Sequence, residues 1–162
     1  MSIWWYLATI ACSVGVLVEL MCCINLLRGM LRHKDKAVVM NLPALLLYFI
    51  AADTGIALAI FNESFRVPWI LMTVIMLLCI VCLAVPITNE GIVSASPLKS
   101  VVIPREEYSY EFSKDKMGEC VKLYRNNAEK PAVFHLGIKN MKTVKMLADW
   151  YGKHGYENPL TK

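Results

Sequence analysis

Charge is scarce in the first half of this chain. Three long apolar runs, Ile3–Leu27, Val38–Phe61 and Val67–Ile87, contain only two charged residues between them. A chain of 162 residues has too little other sequence to bury three such runs, which argues against a water-soluble fold. Each run has roughly the 20 residues that a helix needs to cross a bilayer core. The chain before the first run also lacks the basic start of a secretory signal peptide.

The motifs of common catalytic sites are also missing. The chain has no G-x-S-x-G nucleophile elbow, no glycine-rich phosphate loop and no H-E-x-x-H zinc motif. Glu106 and Glu107 are adjacent, but in a predicted turn such a pair is typical of plain surface. We therefore expect a protein that is not an enzyme.

Histidine is rare, and none of the three histidines falls in an apolar run. His33, His135 and His154 have no metal-ligand spacing, and their positions exclude bis-histidine haem ligation within a membrane. We expect neither a metal nor a cofactor.

Cysteine pairs do occur in the apolar runs, as Cys22-Cys23 and as the C-x-x-C pair of Cys79 and Cys82. A redox C-x-x-C normally sits at a polar helix start, which favours the thiolate. The apolar surroundings favour cysteine as a small packing residue. A quinone-linked thiol oxidoreductase is the alternative.

Basic residues concentrate in the link between the first two runs, at Arg28, Arg32, Lys34 and Lys36. The next link, residues 62–66, is nearly neutral. The positive-inside rule then places the first link in the cytoplasm, with the N-terminus outside and the C-terminus inside. We expect a multi-pass protein of the plasma (inner) membrane, with these four residues at the membrane surface.

Small residues recur within the runs at spacings of four. Ala11 and Gly15 share one side of the first helix, and Ala51, Gly55 and Ala59 share one side of the second. Small residues let helix backbones approach closely in a membrane. The pattern predicts helix packing in a bundle or an oligomer.

Glu19 and Asp53 are the two carboxylates inside the apolar runs. An intramembrane carboxylate is costly when charged, so it is usually neutralised, paired or wetted. The predicted topology separates the two by roughly 12 Å along the membrane normal, which excludes a direct pair. We favour hydrogen bonding at helix interfaces over an ion path.

The C-terminal part has the composition of a small soluble module. We divide the chain into transmembrane helices (1–88), a linker (89–97), a cytoplasmic α/β domain (98–158) and a tail (159–162). The predicted module is ββαβα: strands at Leu98–Ile103 and around Tyr108–Phe112, a helix from Ser113 to about Ala128, a strand at Ala132–Ile138 and a last helix capped by Asn140. Its charge is too mixed to predict nucleic-acid binding.

Two functions fit this organisation. The favoured hypothesis is a non-enzymatic assembly, docking or regulatory subunit of a membrane complex, whose partners are the lipid bilayer and another membrane protein or a second copy. The alternative is a homo-oligomeric pore or proton-coupled carrier that uses Glu19 and Asp53.

Overall fold

A computed structural model describes residues 3–40, 42–104, 107–115, 118–125, 132–137 and 141–157. In chain order, its elements are α1 (Ile3–Arg32), β1 (Lys36–Met40), α2 (Leu42–Phe61), a 3-10 turn (Glu63–Phe65), α3 (Arg66–Cys82), β2 (Ala84–Thr88), β3 (Gly91–Ser94), β4 (Val101–Pro104), β5 (Tyr108–Asp115), β6 (Gly118–Arg125), β7 (Ala132–Gly137) and α4 (Met141–Lys153).

The first three helices form a bundle in which α3 contacts both α1 and α2. Each is long and apolar enough to cross a membrane, α3 together with the 3-10 turn that precedes it. Large apolar side chains such as Leu17, Leu47 and Phe61 are exposed on the outside of the bundle. The prediction of three helices of this kind is confirmed.

The helix bounds differ from the predicted runs at the ends that approach the sheet. Helix α1 continues past Leu27 to Arg32, α2 begins at Leu42 rather than Val38, and α3 ends at Cys82 rather than Ile87. Residues 38–40 of the second predicted run and 84–87 of the third instead belong to β1 and β2. A short run of apolar residues fits a buried strand as well as a helix, and Pro86 cannot continue a helix interior.

A four-stranded antiparallel sheet joins the bundle without a spacer. Its order is β1-β2-β3-β4, with Lys36 opposite Thr88 and Met40 opposite Ala84 in the first pair. Strand β1 leads into α2, and β2 follows α3 after the single residue Leu83. The α2–α3 hairpin therefore continues into the antiparallel strand pair β1–β2.

The sheet lies between two helical layers. On one face, Ala37, Val39, Ile87 and Ile92 pack with the buried Leu147, Trp150 and Tyr151 of α4. On the other face, Val93 lies against Gly29 of α1. Helix α1 has 30 residues and a length of about 45 Å, more than the roughly 30 Å of a bilayer core. Its end, from about Leu26 to Gly29, lies against the sheet.

The predicted helix from Ser113 to about Ala128 is wrong. Residues 108–115 and 118–125 form β5 and β6, which pair with β7 in a second antiparallel sheet. The Tyr124 hydroxyl donates a 2.8 Å hydrogen bond to Glu111 across this pair. Pairing with β5 on one side and β7 on the other satisfies the backbone of β6, so strand pairing prevails over a helical pattern of apolar residues.

The ββαβα order is therefore also wrong, because six strands and then α4 follow α3 within the described residues. The strand expected at Leu98–Ile103 is the shorter β4, and residues 91–94 of the expected linker form β3. The predicted strand at Ala132–Ile138 and the last helix are present as β7 and α4. Ala128, Ile138, the Asn140 cap and the tail lie outside the described residues.

Candidate functional site

Glu19 lies on the side of α1 that faces α3. Its side chain is partly buried, and its carboxyl group lies near the Cys79 thiol of α3. Cys79 is three residues before the end of α3, so Glu19 lies about 5 Å from the sheet end of the bundle.

Asp53 lies on another side of the bundle. It is exposed on α2, about 160° around the helix from the buried Gly55. It is eleven residues from the start of α2, which places it about 16 Å from the sheet end. The structure therefore does not bring Glu19 and Asp53 together, and their separation along the bundle axis is close to the predicted one.

An open groove runs beside Asp53 between α2 and α3. It has a volume of about 390 Å³ and is lined by Ile56, Ala59, Ile60, Arg66, Ile70, Thr73 and Val74. Asp53, Ile56 and Ile60 follow one another at spacings of three and four, so they share one side of α2. We call these three residues, all exposed, the Asp53 surface.

The predicted small residues divide between packed and exposed positions. Gly55 and Ala59 are buried, and a Cβ added at Gly55 would collide with the Thr73 hydroxyl. A Cβ on Gly15 would lie 2.9 Å from Ile75 Cδ1. Ala11 and Ala51, however, are exposed.

Ala52 is buried where Ala51 is not. A strict spacing of four drifts by about 40° at each step of an α-helix. The packed side of α2 instead follows Ala52, Gly55 and Ala59, at spacings of three and four.

The basic residues of the first link have two different surroundings. Arg28, Arg32 and Lys34 are exposed. The Lys36 ammonium instead donates hydrogen bonds of 2.7 Å to the carbonyl of Met30 and 3.2 Å to that of His33. The positive charge of Lys36 stabilises α1, because it lies at the negative C-terminal end of the helix dipole.

A polar contact that was not predicted from the sequence joins the first link to α4. Asp35 Oδ2 accepts hydrogen bonds from Lys153 Nζ at 3.0 Å and pairs with His154 Nε2 at 2.9 Å. His154 Nδ1 lies 2.7 Å from the Trp150 carbonyl. We call Asp35, Lys153 and His154 the Asp35 latch. Asp35 is 118 residues from Lys153 and 119 from His154 in sequence, so no local motif predicts the contact.

The Asp35 latch predicts a stability that depends on acid pH. The Lys153 hydrogen bond, followed by that of His154, lowers the pKa of Asp35 from its ordinary 3.8. A carboxylate with a lowered folded-state pKa stabilises the fold fully above the ordinary value, and this contribution disappears as the pH falls through the lowered pKa. We expect Asp35→Asn to remove this acid-side loss and to weaken the attachment of α4 at neutral pH.

Hydrogen exchange of α4 amides in the full-length protein between pH 3 and 7 measures this effect. Asp149→Asn, at an exposed carboxylate on the same helix, is the matched control and should keep the wild-type profile. An Asp35→Asn profile identical to the wild type would show that the latch does not hold α4.

Comparison with protein-family models, curated proteins and solved structures finds no match. Within the part of the chain that the structure describes, no group of three histidine, cysteine or acidic side chains is arranged to hold a metal ion.

Proposed function

We propose that this chain is an integral membrane protein whose three helices cross the plasma (inner) membrane. The apolar exterior of the bundle supports this placement, because such side chains are stable in lipid and costly in water. The exposed Arg28, Arg32 and Lys34 all lie at the sheet end. The positive-inside rule then assigns the sheet and α4 to the cytoplasm and the start of α1 to the outside.

We further propose that the protein is a non-enzymatic subunit that docks another membrane protein on the Asp53 surface. The observation that carries this proposal is the exposure of Asp53 near the middle of α2. In the proposed membrane this carboxylate faces lipid, where a charged side chain at the centre of a helix costs about 2.5–3.5 kcal/mol or more. A neighbouring helix that offers a cation or a hydrogen-bond donor offsets this cost.

The groove beside Asp53 suits a helix as the occupant. Its largely apolar lining accepts aliphatic side chains. Asp53 lies one turn before the lining residue Ile56 on α2 and is exposed, so it can accept a hydrogen bond from a partner. Close packing and interhelical hydrogen bonds are the forces that associate helices in lipid. We therefore expect the partner to be a transmembrane helix with a basic or amide side chain at the depth of Asp53.

The direct connection between the helices and the sheet could transmit a movement caused by docking to the cytoplasmic side. Strands β1 and β2 extend α2 and α3 directly, and Asn25 Nδ2 of α1 donates to the carbonyls of Ser96 at 3.0 Å and Pro97 at 3.2 Å. A partner that shifts α2 would therefore move β1. This geometry supports a regulatory role for the cytoplasmic module.

Replacing Asp53 by leucine should release the partner. Truncating one member of a desolvated charge pair costs about 2–5 kcal/mol, so we expect the amount of complex to fall by about tenfold or more. Native mass spectrometry of the protein, purified from its host in nanodiscs, measures the bound fraction. Ala51→Leu, an exposed position on the other side of α2, should retain the wild-type fraction.

Photocrosslinking locates the contact independently of affinity. A photoreactive residue at Ile56 should capture the partner, whereas one at Ala51, about 140° around the helix, should not. Equal capture at both positions, or an unchanged complex in Asp53→Leu, would contradict docking on this surface. A ring of identical copies would instead favour the pore hypothesis, for which Glu19→Gln should abolish flux in liposomes.

A further inference from the structure

Two cysteines from different helices meet at the sheet end of the bundle. The Sγ atoms of Cys23 in α1 and Cys82 in α3 are 3.5 Å apart, and the Cys23 thiol also lies 3.3 Å from the Leu78 carbonyl. Cys23 is only 4% exposed, whereas Cys82, the last residue of α3, is partly exposed at the bundle surface. Both are free thiols.

Further reactive groups surround this pair. Cys22 precedes Cys23 on α1, and Cys79 lies one turn before Cys82 on α3. Glu19 lies one turn before Cys23 on α1, on the side that faces Cys79.

We propose that Cys23 and Cys82 form a redox site that closes to a reversible disulfide at the expense of a membrane quinone. The S–H bonds of Cys23 and Cys82 break and one S–S bond forms, with loss of two protons and two electrons. The quinone takes up both and leaves as a hydroquinone. This inference rests on the membrane placement proposed above, but not on the docking of a partner.

The geometry requires little movement for this step. A disulfide has an S–S length of about 2.05 Å, so the two sulfur atoms must approach by roughly 1.5 Å, which a change of side-chain torsion can supply. The oxidant must reach a thiol among apolar side chains at the bundle surface, and a lipid-soluble quinone partitions into that region. A thiol pair on the cytoplasmic side is kept reduced by the cytosolic thiol pool, which makes the bond transient.

Closing the bond would tie α1 to α3 where both enter the sheet. The two cysteines are 59 residues apart in sequence, and the cross-link would add a covalent bond between two helices that are in contact through packing and the hydrogen bond from Cys23 to the Leu78 carbonyl. The joint between helices and cytoplasmic sheet would then respond to the redox state of the membrane.

The experiment uses the full-length protein in nanodiscs of phosphatidylcholine and phosphatidylglycerol. The sample is exposed to ubiquinone-1, quenched with a maleimide and mapped by mass spectrometry. We expect the number of alkylated cysteines to fall by two from the six of the sequence, with one cross-linked peptide joining Cys23 to Cys82. Dithiothreitol should restore all six.

Three single variants test the assignment. Cys23→Ala and Cys82→Ala should abolish the cross-linked peptide, whereas Cys22→Ala, at the neighbouring position, should retain it. Size-exclusion chromatography confirms that each variant is folded, and the wild-type experiment does not depend on any of them. Six alkylated cysteines after exposure to the quinone would overturn the proposal, even if a general thiol oxidant such as diamide forms the bond. Random disulfide pairing among Cys22, Cys23, Cys79 and Cys82 would also overturn it.

Flotation of the same protein with liposomes tests the membrane placement separately. A protein that floats but resists the quinone refutes the redox site alone. A protein that does not float refutes the proposed function.

Discussion

Gly55→Leu is expected to loosen the packing of α2 on α3 and to lower the free energy of unfolding. A Cβ at this position would collide with the Thr73 hydroxyl and lie 3.7 Å from the Trp69 backbone carbonyl. The Thr73 hydroxyl cannot easily turn away, because it donates a 2.9 Å hydrogen bond to that same carbonyl. Overpacking of this kind costs about 1–3 kcal/mol for a few extra methylene groups, and a leucine that meets backbone atoms lies at the upper end or beyond.

The free energy of unfolding in detergent, followed by far-UV circular dichroism during denaturant titration, measures this loss. Ala57→Leu adds similar bulk at an exposed position of the same helix and should have little effect. Gly55→Ala should lie between the two. If Gly55→Leu is as stable as Ala57→Leu, then α2 does not pack on α3 through this glycine.

The helices could be predicted from the sequence because their signal is local. A long apolar run of helical length is compatible with few structures other than a helix, and a single carboxylate, Glu19 or Asp53, does not interrupt it. The ends of the runs were less predictable. Val38 and Val85 are apolar and β-branched, so composition alone cannot assign them to the end of a helix or to a buried strand.

The strands β5 and β6 were missed for a related reason. Between Ser113 and Arg125, one set of apolar residues fits a helical spacing while another alternates, and the only breaker is the single Gly118, which is tolerated inside a helix at a cost of about 1 kcal/mol. The strand state is stabilised by pairing with β7, whose residues begin at Ala132. Such pairing between separate segments is not visible in a local window.

The contacts of the candidate sites depended on the fold even more strongly. Both thiol pairs could be located in the sequence, but nothing local brings Cys23 to Cys82 across 59 residues. The Asp35 latch spans twice that separation. The sequence places Asp53 inside an apolar run and nearly opposite Gly55 on the helix, and the packing of Gly55 on α3 determines that this opposite side is exposed.

Gly29→Leu is expected to detach the sheet from α1. A Cβ on Gly29 would collide with the Ser100 hydroxyl and lie 2.6 Å from Val93 Cγ1. Val93 is 1% exposed and Leu26, one turn earlier on α1, is fully buried, so neither layer has free space for a larger side chain. We expect a cost of about 1–3 kcal/mol or more. The neighbouring hydrogen bonds from Asn25 to Ser96 and Pro97 should open at the same time.

This loss should be distinct from that of Gly55→Leu, because α2 and α3 remain packed while α1 separates from β3. Hydrogen exchange resolves the two: Gly29→Leu should deprotect the amides of β3 and leave those in the middle of α2 protected. Gly152→Ala provides the control for glycine removal itself, since a Cβ there meets no atom within 4 Å. That change should stabilise α4 by about 0.5–1 kcal/mol, because alanine has the higher helix propensity. Unchanged exchange of β3 in Gly29→Leu would mean that contact with α1 does not hold the sheet, and that the sheet is attached to the helices through β1 and β2.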